Sequence, residues 1–291
     1  MFTVTTEQRQ YQTYILQDQS SATVVEVVPA RGGIITQWRV QDQDILYLDH
    51  DRFQDPTLTV RGGIPILFPI CGNLPHNTYT YLAQAYQLKQ HGFARDLPWQ
   101  VVDQSTQDAA SLTLELSSTE QTKCLYPFDF QLRFTYQLCG RTLSLQQQYT
   151  NRSERAMPFS TGLHPYFWVG DKTQLQFEIP AIQLQSQPDH SQHPFHGQFN
   201  FETDEIDVAF RQLSQQTTRV IDRQRQLSLT MDYDAVYSTL VFWTVKGKDF
   251  YCLEPWSAPR NALNSGDNLL ELQPGASLET RVQLAVDLLQ N

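Results

Sequence analysis

The chain has 291 residues, 40% of them hydrophobic and 12% aromatic, enough for a large core and unlike a disordered composition. Its formal net charge of −10 argues against nucleic acid, whose phosphates call for clustered Lys and Arg, and against an anionic membrane surface. A small anionic ligand stays open, because a few local arginines suffice to hold one.

In chain order, the start MFTVTTEQRQYQTY lacks the apolar stretch of a secretory leader, and no apolar run reaches the ~20 residues that span a bilayer. The expectation is a cytoplasmic protein. VVEVV and DILYL are short apolar runs, read as strands buried on both sides. SLTLELS then alternates Leu112, Leu114 and Leu116 with polar residues, and QLRFTYQL alternates Leu132, Phe134, Tyr136 and Leu138. LQFEI does the same with Leu175, Phe177 and Ile179, so each reads as a strand with one buried face. EIDVAFRQL sets Ile206, Phe210 and Leu213 on one helical face and is read as a short helix. TLVFWTV and DFYCL are again fully buried strands, and Leu278, Val282, Leu284 and Val286 give a last half-buried one. No βαβ rhythm, internal repeat or composition break appears. One domain over residues 1–291 is expected, an all-β, large antiparallel β-sandwich. Cys71, Cys124, Cys139 and Cys252 are scattered without a C-x-x-C pair and read as ordinary buried thiols.

Four stretches place ionisable side chains beside conformational punctuation. RGGIPILFPICGNLP opens on Arg61, whose planar fork can clamp a ligand oxygen, and its glycines and prolines fix an irregular path. QHGFARDLPW carries His91 and Arg95 around Phe93, and alone reads as a hairpin entry with both side chains solvated. In STGLHPYFWVG, Pro165 holds His164 extended among Tyr166, Phe167 and Trp168. In YCLEPWSAPRNALNSG, Glu254 follows a buried run, where an unpaired charge is costly, so it needs a partner. Two histidines and a glutamate are an acid–base inventory. His190, His193 and His196 have a spacing that could suit a metal, but Pro188, Pro194 and Gly197 forbid a helical ligand face, and a solvated loop is expected.

RGGIPILFP, HGFAR, GLHPYF, LEPW and NALNSGDNLLELQPG, in this order, resemble the aldose 1-epimerase (galactose mutarotase) family from about residue 20 to the C-terminus. The resemblance implies a galactose mutarotase-like sandwich with an open carbohydrate cleft. It implies His164 as general acid, Glu254 as general base and His91 as a second active-site histidine. It also implies Arg61 and Asp207 as substrate contacts. An imidazole beside a carboxylate can be protonated near its reference pKa of ~6.5, while a glutamate at ~4.3 is already ionised. No metal or organic cofactor is required. The partner is a small sugar or sugar phosphate, held by a monomer or dimer. Family members that act on hexose 6-phosphates resemble the chain in RGGIP and HGFAR, and would use Arg95 for the phosphate. The LEPW and NALN end resembles free-aldose members. Trp256, Tyr166 and Phe93 are the rings available to stack on a sugar. A non-catalytic sugar-binding module is a rival, and a glycosidase or lyase would use paired carboxylates.

Overall fold

The computed structural model describes residues 1–289 of the chain. Every pairing between named strands in that span is antiparallel, and three sheets carry the architecture. An N-terminal meander runs Phe2–Gln8, Gln12–Asp18, Thr23–Val28, Ile34–Val40 and Gln43–Asp44 in sequence order. An eight-stranded sheet is centred on Ser277–Leu288 beside Thr142–Asn151, flanked on one side by Phe130–Cys139 and Ala110–Ser117. A second eight-stranded sheet orders Glu205–Phe210, Thr239–Val245, Phe250–Trp256, Gly162–Leu163 and Ile66–Leu67 as neighbours.

The period of two does the sorting. Leu132, Phe134, Tyr136 and Leu138 are buried and lie beside Leu112, Leu114, Leu143 and Leu145, while the intervening Thr and Gln face outward. Full burial of such side chains stabilises by about 1.5–3 kcal/mol each. Phe68, from the irregular segment after Arg61, packs on Phe130, Tyr149 and Phe159 at centroid distances of 5.1, 6.0 and 5.6 Å. This ring cluster anchors the site-bearing loop to the central sheet. The meander is tied to the same sheet by Tyr136, whose hydroxyl donates to the Gly33 carbonyl at 2.7 Å.

Four sequence expectations change. EIDVAF is the strand Glu205–Phe210, not a helix. Ile206 and Phe210 share a face under either period, but Val208 joins them only in a strand, where it packs against the core. DILYL is not a regular strand: Leu46 and Leu48 make isolated bridges to Phe167 and Gly62. VVEVV lies in the strand Thr23–Val28 but is not buried on both sides, since Val24 and Glu26 are half-buried. Of the four thiols, Cys71 and Cys252 are buried while Cys124 and Cys139 are exposed. Among the described residues no helix is long and apolar enough to cross a membrane.

Candidate active site

Three neighbouring strands build the floor of a cleft. Their register sets Asp207 opposite Trp243, Trp243 opposite Cys252, and Val241 opposite Glu254. Alternation then sends Glu205, Asp207, Val241, Trp243, Glu254 and Trp256 to one face, where they line a cleft of about 350 Å³. The other face delivers Val208, Phe210, Leu240, Phe242, Tyr251 and Leu253 to the core.

The walls come from the irregular segments. Tyr166 N–H donates to Gly63 O and His164 N–H to Pro65 O, at 2.9 and 3.0 Å, which strings GLHPY along RGGIP. Arg61 is thereby left exposed at the mouth, with its guanidinium carbon 6.0 Å from the Trp243 ring centre. In HGFAR, His91 and Gly92 both have positive φ, 67° and 71°. A Cβ on Gly92 would overlap the carbonyl of Phe68, so only glycine fits and the backbone turns sharply enough to bury His91. The solvated hairpin entry expected there is therefore not what forms: His91 is buried and Arg95 is only partly exposed.

His164 Nε2 lies 3.4 Å from Glu254 Oε1, and the other carboxylate oxygen accepts from Trp256 Nε1–H at 3.0 Å. The His164 ring stacks on Tyr166 at 4.7 Å and 7°, which fixes its plane. His91 stands edge-on to His164 at 5.4 Å. The Gly72 N–H donates to His91 Nδ1 at 3.1 Å, so the neutral His91 ring carries its proton on Nε2. Asp207 accepts from one Arg260 nitrogen through both oxygens, at 2.9 and 2.7 Å. Arg95 donates to the Gln90 carbonyl at 2.8 Å, while its buried Nε has no partner.

Burial sets the proton affinities. It pushes the His164 imidazole down to about 3, helped by the charges of Arg95, Arg260 and Arg61. It pushes Glu254 well above the usual carboxylate range against the pull of the Trp256 hydrogen bond. His91 is likewise held well below the usual imidazole range by burial and by Arg95. Reference values alone would put the proton on the imidazole and leave the glutamate ionised; burial opposes both. Both groups are desolvated, so each disfavours its charged form, and a shared proton rests on the carboxyl side. Asp207 is raised by burial, with Arg260 opposing the rise.

The aldose 1-epimerase family model matches residues 12–285. The chain belongs to the aldose 1-epimerase family. The Slr1438 protein of Synechocystis is 47% identical, with a TM-score of 0.94 over 99% of this chain and all of that one. The plasmid-borne LacX protein of Lactococcus lactis is 26% identical over 73% of this chain and 79% of its own. A protein of Escherichia coli K12 provisionally named glucose-6-phosphate 1-epimerase is 29% identical, over 48% of this chain and 44% of its own. Galactose 1-epimerase of Lactobacillus acidophilus shares the fold, at 15% identity and a TM-score of 0.78 over 100% of this chain and 99% of that one.

For this epimerase-family chain, His164, Glu254, His91, Arg61, Arg95, Asp207 and Trp256 all line the one cleft. Tyr166 lines it too, but Phe93 packs into the core against Phe68 and Phe130 and offers no ring to a sugar. Trp243, Glu205 and Arg260 were not singled out from the sequence. Reading EIDVAF and TLVFWTV as paired strands would have put Glu205 and Trp243 on Asp207's face; nothing local marks Arg260. The His190, His193 and His196 segment is exposed around the hairpin Gln183–Ser186 and Gln192–Pro194. The cluster of potential metal ligands among the described residues is instead His164, Cys252 and Glu254, whose ligand atoms lie within 4.8 Å of one another.

Proposed function

We propose that the chain is a mutarotase, interconverting the α and β anomers of an aldohexose by acid–base ring opening and closing. The observation that carries this is the 3.4 Å approach of His164 Nε2 to Glu254 Oε1 in the cleft. The two oxygens that exchange protons, the C1 hydroxyl and the ring oxygen, sit on the same carbon, so acid and base must be neighbours.

The steps balance with one proton on the pair. When the C1 hydroxyl donates to Glu254, it stabilises the carboxylate and shifts the shared proton to His164. His164 then protonates the ring oxygen as Glu254 takes the C1 hydroxyl proton. The C1–O5 bond breaks and the open-chain aldehyde forms. Rotation about C1–C2 presents the other carbonyl face. The C5 hydroxyl attacks, its proton returns to His164, and the carboxyl proton of Glu254 passes to the new C1 hydroxyl. The Nε2–H of His91 and the carboxylate of Asp207 hold sugar oxygens; Trp256 and Tyr166 line the cleft but are almost wholly buried, and the half-buried Trp243 offers the ring surface. Each proton-transfer group contributes about 10²- to 10⁴-fold in rate. Polarimetry of freshly dissolved α-D-glucose or α-D-galactose tests the reading: the protein accelerates the drift to the equilibrium rotation, and an unchanged drift for every aldose tried contradicts it.

A 6-phosphorylated hexose is the second reading, favoured by Arg61 and Arg95. Neither makes an ion pair among the described residues, although both line the cleft of an acidic chain. If it holds, Arg61→Ala or Arg95→Ala lowers kcat/KM for glucose 6-phosphate by about 10- to 100-fold, as for loss of a charge-assisted hydrogen bond, and changes that for glucose far less. Equal loss on both sugars argues for a free aldose.

A further inference from the structure

The strand Phe250–Trp256 puts more than Glu254 on the side of the cleft. Alternation gives Cys252 the same parity, and its neighbour across the sheet is Tyr166, as that of Trp256 is Gly162. His164, midway between Gly162 and Tyr166, therefore stands beside both Cys252 and Glu254. One donor atom from each of these three side chains lies within 4.8 Å of the others, and all three residues are buried. His164 and Glu254 line the cleft and Cys252 does not, so the thiol closes the inner end of the group.

This set has the composition and the spacing of a zinc site. Zn²⁺ takes imidazole and carboxylate at about 2.0–2.2 Å and thiolate at about 2.3 Å, which sets tetrahedral donors about 3.3–3.6 Å apart. His164 Nε2 and Glu254 Oε1 already stand at 3.4 Å. The thiol has at most about 1.2 Å to close, which small side-chain rotations cover. Supporting contacts orient the donors: Trp256 Nε1–H holds the other carboxylate oxygen at 3.0 Å, and Tyr166 stacks on the imidazole at 4.7 Å. The fourth position opens on the cleft, to water or a sugar hydroxyl. A thiolate, a carboxylate and a neutral imidazole around a divalent cation sum to zero, which suits a desolvated site. Binding releases two protons, one from Cys252 and one shared by His164 and Glu254. Thiolate and imidazole favour Zn²⁺ or Co²⁺ and offer too little oxygen to Mg²⁺ or Ca²⁺.

We propose that His164, Cys252 and Glu254 form an inhibitory site for Zn²⁺. The cation takes the place of the shared proton and occupies both groups that would exchange protons with the sugar. The inhibition rests on the cleft being a mutarotase site; the binding does not.

Co²⁺ titration of the full chain tests the binding, in a Cys124→Ser, Cys139→Ser parent that lacks the exposed thiols. One equivalent gives a near-ultraviolet thiolate-to-cobalt band and the intense visible bands of four-coordination, and Zn²⁺ erases both. Cys252→Ala and Cys252→Ser each lose the thiolate band and weaken Zn²⁺ by about 100-fold or more, beyond the usual cost of losing an outer-shell partner. Cys71→Ala keeps both the band and the affinity. A parent without the thiolate band, or a band that survives loss of Cys252, overturns the site. Polarimetry tests the inhibition: Zn²⁺ stops the mutarotation of the parent and needs about 100-fold more to stop that of the Cys252 variants. Undiminished mutarotation at saturating Zn²⁺ overturns it. Cobalt held by Cys252 without any mutarotation would defeat the enzymatic reading alone, and mutarotation without the thiolate band would defeat the metal site alone.

Discussion

His164 and Glu254, far apart in the chain, meet because Gly162 pairs with Trp256 in adjacent antiparallel strands. Two residues back from Trp256 and two on from Gly162 then bring imidazole and carboxyl to 3.4 Å. A Cβ at Gly162 would lie 2.7 Å from the Pro255 carbonyl, so this approach needs a glycine. The product is a desolvated pair that favours one proton between its members over none or two.

The first consequence is a stability profile on the acid side. The folded imidazole of His164 is held at about 3, against ~6.5 in the unfolded chain. The unfolded state therefore binds that proton first, and stability is lost as pH falls from ~6.5 toward about 3, by at most ~1.4 kcal/mol per pH unit for one group. The groups that act on this ring are Glu254, Tyr166, His91, Arg61, Arg95 and Arg260. His91 is shifted in the same direction, while the raised Glu254 acts the opposite way, gaining stability as pH falls through its folded value. His164→Gln is expected to flatten the loss between about pH 6.5 and 4, measured by urea unfolding at each pH. An unchanged slope would place the acid sensitivity elsewhere.

The second concerns backbone. Gly92→Ala puts a Cβ onto the Phe68 carbonyl at a φ of 71°, and Phe68 is itself locked into an aromatic cluster. The expected loss is more than about 3 kcal/mol, a strong fall in the unfolding midpoint, with activity falling in whatever folds because His91 is displaced. A variant with wild-type melting behaviour would contradict the close approach.

The third concerns Arg260. Burial raises Asp207 and Arg260 holds it down, so Arg260→Ala lets the carboxyl rise further and take a proton at higher pH. KM is expected to climb as pH falls, starting closer to neutrality than in the wild type, with kcat much less affected. Arg260→Lys should recover part of the shift, since it keeps the charge but not the fork. A KM–pH profile superimposable on the wild type would rule out this role.

Much of this was legible in the sequence, for physical reasons. Strict alternation in SLTLELS and QLRFTYQL can only be a strand with one buried face, and both strands form as read. His164 before Pro165 and Glu254 before Pro255 stood out because a rigid turn flanks each, and both line the cleft. EIDVAF misled because its apolar residues fit two periods until strand Thr239–Val245 pairs with it. The HGFAR turn misled because solvent exposure of His91 is decided by packing on Phe68, a non-local contact. Proton affinities were illegible for the same reason: residue type gives the reference values, and only burial turns them around.

The most direct test is Glu254→Gln, followed by polarimetry and by calorimetric sugar binding. Glutamine keeps an acceptor for Trp256 Nε1–H and removes a buried ionisable group, so the variant should fold with equal or greater stability. The account predicts kcat down by about 10²- to 10⁴-fold with sugar affinity within a few-fold of wild type. Normal binding with undiminished mutarotation would show that Glu254 is not the base.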